Sequence, residues 1–467
     1  MSAETKTTSS ATFDGAAKCK ELGARTDALV NRGCTDGADQ VEAFGISSES
    51  ISVNYENGDL KLTQVDEQSS IGMRAIRDMR MGFSSTNQTG EAALDSLASN
   101  ALELASISPA DDHNVLPTAG ATPRTAAPAD PAICSWTIEE ANEAAHSLVE
   151  RARAVDPRIS LDKASLSLSR SAYSVSNSCG IQATESEASI SLSLFGMAVD
   201  GDDVGGFDYW GNRTRELSGL EAIIEDSITR FTSAALGNLG AGAAESYNGP
   251  VLFSPAAFAS VFVSPIVSAS SAVAVQRGRS ALAGKIGERV ADSRLSIIDD
   301  PTDLGLAGNC TFDREGVATS RFPILEAGVL QGWLYNAYAA HIDGVSSTGH
   351  AAGGTRAAPG LGTHSIVVGA GDGGDGDAML AALGRGLVVQ RFSGTVDPAS
   401  GDFSGVAKSA RWVEDGRIER GVRETLISGN AFVLLNQILS LSSESESVMG
   451  SMRAPWALVD GLSVTAG

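Results

Sequence analysis

The fold of the N-terminal part of this chain is decided by residues 50–65, whose sequence is Ser-Ile-Ser-Val-Asn-Tyr-Glu-Asn-Gly-Asp-Leu-Lys-Leu-Thr-Gln-Val. Apolar and polar side chains alternate on both sides of Asn57-Gly58, as they do in half-buried strands. An Asn-Gly pair favours a two-residue hairpin turn, because both turn positions need a positive φ. The stretch therefore predicts two antiparallel strands, at 50–55 and 60–65, joined by a tight turn.

Further alternating segments extend this hairpin into an antiparallel sheet, at residues 41–46, 70–76 and 80–84. Apolar residues at helical spacing predict one helix before the sheet, at 14–31, and one after it, at 91–106. A sheet with one apolar face needs such helices to cover it, so we expect both helices to pack on the sheet.

A second, similar unit follows a proline-rich stretch. Residues 108–131 hold five prolines, which is typical of a linker or of a connection lying along the surface. A helix at 137–154, alternating segments at 165–175 and 181–195, and a helix at 215–239 then repeat the first unit in outline. The two units resemble a weak internal repeat, and two unrelated β-meanders would match this well by chance about as often.

The remainder of the chain changes character. Residues 251–275 are apolar and predict a buried helix interrupted by Pro265. Short strand candidates with glycine-rich turns follow at residues 328–335, 365–369, 386–393, 405–414 and 417–426. They predict a β-rich sandwich or barrel-like domain.

The predicted fold class is α+β. The organisation is an N-terminal tail and helix, a first α/β unit, a Pro/Ala-rich linker, a second α/β unit and a C-terminal β-rich domain, at residues 1–37, 38–107, 108–133, 134–240 and 247–467.

Composition excludes several classes of function. The chain has 467 residues, 42% of them hydrophobic, and a formal net charge of −23. This charge repels phosphate backbones, so we expect no nucleic-acid partner. No apolar run approaches the ~18 residues that cross a bilayer, and the N-terminus lacks the order of a signal peptide. Five scattered cysteines fit a reducing compartment, so the expected location is cytoplasmic.

Familiar catalytic motifs are missing or incomplete in the sequence. Residues 278–286 resemble a phosphate loop, but the glycine spacing is wrong and Ile286 replaces the Ser/Thr that holds Mg²⁺. No Gly-x-Ser-x-Gly and no His-Glu-x-x-His occurs. His341, His350 and His364 fall in one β-rich stretch and could bind zinc if they converged. Their spacing does not ensure this, so surface or core histidines are the favoured interpretation.

Several ordered blocks together resemble one protein family. They are Gly-Lys-Ile-Gly-Glu-Arg-Val at 284–290, Ile-Asp-Asp-Pro-Thr at 298–302, Thr-Phe-Asp-Arg-Glu-Gly-Val-Ala-Thr at 311–319, Glu-Ala-Gly-Val-Leu-Gln-Gly-Trp-Leu-Tyr-Asn at 326–336 and Ser-Thr-Gly at 347–349. With Asn57-Gly58, the strand at 72–77 and Gly82-Phe83, they make the chain similar to the TldD/PmbA family. The resemblance runs from about residue 38 to the C-terminus.

The resemblance implies an N-terminal α/β region, a β-rich C-terminal domain and a role in proteolysis, and the family also carries a label as modulators of DNA gyrase. Its catalytic branch holds a metal on a helix bearing His-Glu-x-x-x-His, completed by a later cysteine. An ungapped count places that motif at residues 263–268, where this chain has Val263, Ser264 and Ser268 at the three key positions and Pro265 between them. None of these side chains is a good zinc ligand.

The chain therefore resembles the PmbA/TldE-like branch that lacks the metal site. We expect a non-catalytic subunit with no metal or cofactor of its own, paired with a zinc-bearing TldD-like catalytic subunit or self-associated as a dimer, and acting on peptides or unfolded proteins without nucleic acid or membrane. Candidate cleft or structural residues in the shared blocks are Asp300, Asp313, Glu315 and Asn336.

Two alternatives stay open. One is a homo-oligomeric peptide-binding protein without catalysis. The other is a standalone hydrolase whose site combines Asp299, Asp300, Asp313, Glu315 or the C-terminal histidines. Taken singly, these acidic residues more simply cap turns and strand ends.

Overall fold

The computed structural model describes residues 12–467, and the first half of this range is built on one seven-stranded sheet. Its strands are β1 Gln40–Glu56, β2 Asp59–Arg77, β3 Arg80–Thr86, β4 Ile159–Asn177, β5 Gln182–Asp200, β6 Asp203–Val204 and β7 Asp208–Thr214. The order is β3-β2-β1-β4-β5-β6, with β7 also paired to β5. Because β1 and β4 pair antiparallel along their length, the two α/β units share one sheet. Residues 1–11 of the predicted tail lie outside the described residues.

The hairpin predicted at Asn57-Gly58 is confirmed. Asn57 has φ 52° and Gly58 has φ 84°, and the turn connects β1 to β2. The prediction of separate strands on each side of it was wrong, because 41–46 and 50–55 belong to β1, and 60–65 and 70–76 to β2. The polar residues between them stay extended because β1 is paired on both edges, by β2 and β4. Pairing satisfies the backbone whatever the side chains are.

Five helices cover this sheet. They are α1 Gly15–Thr35, α2 Glu91–Ile107, α3 Pro131–Ser135, α4 Ile138–Ala154 and α5 Leu220–Leu236, the last preceded by a 3₁₀ turn at Leu217–Gly219. Side chains cap the starts of α1, α3 and α4: Asp14 accepts from the Ala17 N–H, Asp130 accepts from the Ala132 N–H, and Thr137 and Glu140 form a reciprocal capping box. α1 packs across β1, β4 and β5, α2 packs on β2 and β3, α4 packs on β1 and β4, and α5 packs on β5 and β7.

The proline-rich stretch lies along the surface of the sheet. The Gln40 side chain accepts from the Leu116 N–H, and the Asn177 side chain donates to the Pro117 carbonyl. Arg124 then reaches the Pro301 carbonyl in the second half of the molecule. The stretch is thus a surface connection rather than a free linker.

The second half is β-rich, as predicted, and the α+β class is confirmed. Its strands are β8 Gly242–Ala243, β9 Tyr247–Phe253, β10 Ile297–Asp299, β11 Phe322–Glu326, β12 Val329–Leu330, β13 Ala351–Ala352, β14 Gly360–Leu361, β15 Ile366–Val368, β16 Gly386–Val389, β17 Arg391–Val396, β18 Asp402–Lys408, β19 Ala410–Glu414, β20 Arg417–Arg423, β21 Leu426–Asn430, β22 Ile438–Val448 and β23 Met452–Thr465. Except for the pair β13-β14, they form one sheet whose main path is β12-β11-β10-β15-β23-β9-β16-β19-β20-β8. Strands β17, β18, β21 and β22 join it through β23.

Short helices pack among these strands: α6 Pro255–Phe258, α7 Ser264–Ala269, α8 Ala272–Gln276, α9 Ala337–Asp343, α10 Gly376–Leu383 and α11 Ala431–Leu434. None of the helices between residues 12 and 467 combines the length and the apolar character that a bilayer crossing requires.

Only residues 255–269 of the helix predicted at 251–275 form one continuous helix, since 251–253 belong to β9 and 272–276 form the separate α8. Pro265 does not interrupt this helix. α6, a π-helical turn at Ala259–Val263 and α7 run without a break, and we call residues 255–269 the central helix. The Ser264 N–H bonds to the Ala259 carbonyl, five residues back, which widens the turn just before the proline. A proline near the start of α7 removes only an N–H that the widened turn does not need.

Several predicted strands were wrong in extent. The candidate at 386–393 is divided between β16 and β17 at Gln390. Of residues 328–335, only Val329–Leu330 is a strand. The candidate at 405–414 is divided between β18 and β19 at Ser409, whose φ of 49° turns the chain out of the extended conformation.

The two halves meet in a junction of apolar and polar contacts. A small apolar cluster joins Phe44 and Val175 of the first sheet to Phe312 of the second half. Beside it, the Ser70 and Thr355 hydroxyls lie 2.7 Å apart. Gly72 is required here, because a Cβ at this position would collide with the backbone of Thr355.

Candidate functional site

The central helix occupies the place where the resemblance puts a metal-binding motif, and its side chains do not fit a metal. Val263 is fully buried in the apolar core, beside Phe262 and Ile266. Ser264 and Ser268 are exposed and offer only neutral hydroxyls. A zinc site needs three or four convergent nitrogen, sulfur or carboxylate donors. The central helix supplies none, so no chemical step can be assigned to a metal at this position.

Charged side chains are instead buried at the junction of the two halves. We call Glu42, Arg74, Arg314 and Glu315 the ion cluster. Arg74 Nη2 lies 2.8 Å from Glu42 Oε2 and 2.8 Å from Glu315 Oε1, and Arg314 Nη1 lies 3.0 Å from Glu42 Oε1. All four side chains are buried. Two cations facing two carboxylates compensate each other, which makes the cluster a rigid connection between the halves.

The ion cluster favours the ionised form of Glu42. Burial opposes ionisation of Glu42, but the adjacent Arg74 and Arg314 guanidinium groups outweigh it and hold the pKa of this carboxyl below its usual value. Glu315 also accepts from the Ala337 N–H at the start of α9. Arg314 stacks over the Phe44 ring, with its guanidinium carbon 3.9 Å from the ring centre.

Asp313 lies next to this cluster and behaves differently. It is buried, and its carboxylate accepts from the N–H groups of Glu315, Val317 and Ala351. Burial, aided by the nearby Glu315 charge, raises the pKa of Asp313 to about 8 in spite of these three bonds. The carboxyl organises the loop around it, and both of its oxygens accept backbone hydrogen bonds.

A second polar group, Asp299, His350 and His364, lies in the second half, and we call it the histidine cluster. Each residue places one potential ligand atom within 4.8 Å of those of the other two. Asp299 ends β10 and accepts from the His364 and Ser365 N–H groups. His350 Nε2 lies 3.1 Å from Asp299 Oδ2, close in distance but without the geometry of a hydrogen bond.

Cys310 connects the histidine cluster to a cavity. Its Sγ lies 3.3 Å from His364 Nδ1, and both side chains line a cavity of about 280 Å³ together with Phe44, Tyr173 and Phe312. Burial, and next the Glu185 charge, raise the pKa of the Cys310 thiol to about 12. Burial also lowers the pKa of His364. The pair is therefore a neutral thiol beside a neutral imidazole, not a thiolate-imidazolium nucleophile.

The other predicted site residues have structural positions. Asp300 accepts from the Thr302 N–H and pairs with Arg321, 2.8 Å away. Asn336 caps α9 by accepting from the Ala339 N–H. Asp300, Asp313, Glu315 and Asn336 therefore do not converge on one cleft with free oxygen atoms.

The structure divides the three histidines that the sequence placed in one stretch. His350 and His364 come together, with ring centres 5.5 Å apart. His341 lies at the surface instead, with its Nδ1 3.2 Å from that of His113. Asp299, the third member of the histidine cluster, was assigned to a turn in sequence analysis. In the sequence, the one feature that indicates a special position for Asp299 is that it directly follows two apolar strand residues.

Parts of this chain match known domains, and most of its length is similar to a known protein. Residues 246–466 match the family description "PmbA/TldA metallopeptidase C-terminal domain", and residues 41–105 match "PmbA/TldA metallopeptidase domain 1". Metalloprotease PmbA of Escherichia coli O157:H7 is 27% identical over 428 residues, which is 89% of each chain.

Two further likenesses differ in extent. An uncharacterized protein of Methanocaldococcus jannaschii is 30% identical over 222 residues, so the match spans 47% of this chain and about half of that one, 51%. The crystal structure of TldE from Thermococcus kodakarensis is similar with a TM-score of 0.86 at 23% identity, covering 94% of this chain and 100% of that one. At this identity the structural likeness concerns the fold alone.

Proposed function

This chain belongs to the PmbA/TldD metallopeptidase family, and we propose that within it the chain is a non-catalytic subunit of a cytoplasmic metallopeptidase complex. The complex acts on peptides or unfolded proteins, and a separate TldD-like subunit supplies its zinc and its general base.

The observation that carries this proposal is the composition of the central helix. At residues 263–268 it has a buried valine and two exposed serines where a catalytic relative needs two imidazoles and a glutamate. Nowhere in the sequence is a histidine followed directly by glutamate. A hydrolase cannot polarise a peptide carbonyl or activate water with such side chains.

The remaining candidate groups also lack the properties of a catalytic acid, base or nucleophile. Glu42 and Glu315 are bound to arginines, and Asp313 holds three backbone N–H groups. The Cys310 thiol stays protonated at neutral pH. This argues against the standalone hydrolase and favours a chain that shapes a chamber for its partner.

The cavity at the junction supports a contact with substrate. It is lined by the aromatic side chains of Phe44, Tyr173 and Phe312, and its volume of about 280 Å³ suits one side chain of a bound peptide rather than a folded domain. Its walls also carry the charged side chains of Glu185, Glu187 and Arg314, which would select among peptide side chains.

The test is reconstitution of peptide hydrolysis. We expect the purified chain alone to leave a panel of unstructured peptides intact, and the same chain mixed with a TldD-like subunit from the same cell to hydrolyse them. A chelator should abolish hydrolysis by the pair. A partner whose motif glutamate is replaced by glutamine is the matched control and should be inactive in the presence of this chain.

Two outcomes contradict the proposal. Hydrolysis by the isolated chain, whether or not a chelator stops it, would favour the standalone hydrolase. Peptide binding by the isolated chain, with no TldD-like subunit co-purifying from native cells and no stimulation of one in vitro, would favour the homo-oligomeric peptide-binding protein.

A further inference from the structure

The histidine cluster brings together one carboxylate and two imidazoles from three separate segments of the second half. We propose that Asp299, His350 and His364 bind one divalent transition-metal ion of the zinc type. This proposal is independent of the accessory function, and it concerns residues outside the central helix.

The kind of ligand decides the kind of metal. Two imidazole nitrogens and one carboxylate oxygen are the donors that zinc and neighbouring first-row ions prefer, whereas calcium and magnesium prefer oxygen alone. Three protein ligands leave a fourth position for water, as in open zinc sites. The potential ligand atoms of the three residues already lie within 4.8 Å of one another.

Each of the two histidines is oriented by a hydrogen bond of its other ring nitrogen. His350 Nδ1 lies 2.8 Å from the Thr348 hydroxyl, and His364 Nε2 lies 2.7 Å from the Gly349 carbonyl. Asp299 is fixed by the His364 and Ser365 N–H groups. Metal-binding histidines characteristically donate their second nitrogen to such an acceptor, which fixes the ring orientation.

The buried nitrogen of His350 supplies the independent observation. His350 is 1% exposed, and its Nε2 has no hydrogen-bond partner although it is directed at the cluster. The Thr348 hydroxyl can donate to the Tyr335 carbonyl, 3.3 Å away. Its oxygen then accepts a hydrogen bond from the N–H at His350 Nδ1. In this tautomer Nε2 presents a lone pair to Asp299 Oδ2 at 3.1 Å. A cation bound between the two atoms would remove the repulsion between the nitrogen lone pair and the carboxylate oxygen.

The distances agree with such a cation. Zinc lies about 2.0–2.2 Å from nitrogen and oxygen ligands, so two ligands at a tetrahedral angle are about 3.3 Å apart. The separation of His350 Nε2 and Asp299 Oδ2 is 3.1 Å. The His350 ring is also held in position by packing, because it lies edge to face against Phe322 with ring centres 5.2 Å apart.

An ion has a route to the site. His364 is only partly buried and lines the cavity of about 280 Å³ at the junction of the two halves, next to Cys310. The metal can enter through this cavity, and its open position would face the cavity.

The experiment is zinc binding by the full chain. The chain is stripped with a chelator, equilibrated with Zn²⁺, freed of loosely bound metal and assayed by elemental analysis, and Co²⁺ is titrated in parallel by visible absorption. We expect about one zinc per chain and a cobalt spectrum of low coordination number. The substitutions H364Q and H350Q should each weaken zinc binding at least about tenfold.

The controls separate this site from others. H146Q changes an exposed histidine on α4, and H341Q removes one member of the surface pair with His113. Both should keep full zinc binding. Far-UV circular dichroism and thermal unfolding establish that each variant is folded. Because His364 is partly exposed, H364Q keeps the test decisive if H350Q does not fold.

The proposal is overturned if the folded wild-type chain retains no stoichiometric zinc, or if folded H364Q retains it fully. Loss of zinc in H341Q alone would also overturn it. These outcomes leave the accessory-subunit proposal untouched, because that proposal is judged by peptide hydrolysis with and without the partner.

Discussion

The central helix and the ion cluster are both buried in this molecule, and they are built on opposite principles. The helix at 255–269 is a continuous run of apolar and small side chains, with Phe258 and Phe262 fully buried. The ion cluster buries two arginines and two glutamates, and each finds its partner from another segment.

This difference indicates which positions of the chain tolerate substitution. An apolar core position needs only an apolar side chain of suitable volume, whereas a buried charge needs one particular partner in one position. A residue lost from the ion cluster therefore leaves a charge without compensation. A donor added at a buried position of the central helix would be equally uncompensated.

The largest expected effect breaks the ion cluster. Replacing Arg74 by methionine keeps most of the side-chain volume but leaves Glu315 and one oxygen of Glu42 without their cation. We expect a loss of about 3–5 kcal/mol in the free energy of unfolding, because buried carboxylates become unpaired. Urea unfolding of the full chain measures it.

Arg321→Met is the matched control, since Arg321 also forms one ion pair but is 61% exposed. It should cost no more than about 1 kcal/mol. Equal losses of unfolding free energy in the two variants would show that the ion cluster contributes no more to stability than an exposed ion pair.

A smaller effect is expected from donors placed in the central helix. Val263→His puts an imidazole with no partner into an apolar environment that is already filled. We expect a loss of about 3 kcal/mol in the free energy of unfolding, from an unsatisfied polar group and overpacking. The double variant S264E/S268H changes only exposed positions and should stay within about 0.5 kcal/mol of the wild type. A fully stable V263H would contradict the description of this helix as core.

The smallest effect, at most about 1.4 kcal/mol for each pH unit, sharpens the comparison through pH. The pKa of Asp313 is raised to about 8, so its stabilising contribution is complete below the unfolded value near ~4 and is lost as the pH rises towards 8. The pKa of Glu42 is lowered, so its contribution is present above the unfolded value and is lost as the pH falls.

The measurement is the free energy of unfolding across pH 4–9, read as a slope. We expect the wild type to lose stability between pH 5 and 8 with a slope of at most about 1.4 kcal/mol per pH unit from Asp313. D313N should flatten this limb, and E42Q should flatten the acid limb instead. An unchanged alkaline slope in D313N would refute the raised pKa.

The hairpin at Asn57-Gly58 illustrates what the sequence predicts in the first sheet and what it does not. The turn and both strands followed from local chemistry, but the partner of Glu42 did not. Pairing next to the turn joins Tyr55 to Leu60, and counting back from there places Glu42 opposite Met73. A bulge between Asn54 and Tyr55 shifts the register by one residue and brings Glu42 opposite Arg74.

The candidate site was predicted in part, for a similar reason. The absence of metal ligands at Val263, Ser264 and Ser268 is visible in the sequence. The meeting of Asp299 with His350 and His364 is not, because it depends on β10 and β15 lying side by side. Sequence spacing alone could not separate these histidines from His341.

The sequence by itself determined the α+β class, the hairpin, the apolar central helix and its lack of metal donors, since each depends on neighbouring residues and their periodicity. Tertiary structure alone decided the continuity of the sheet across both α/β units, the ion cluster and the histidine cluster. These depend on register and on contacts between distant segments, and a single bulge or loop is enough to change which side chains meet.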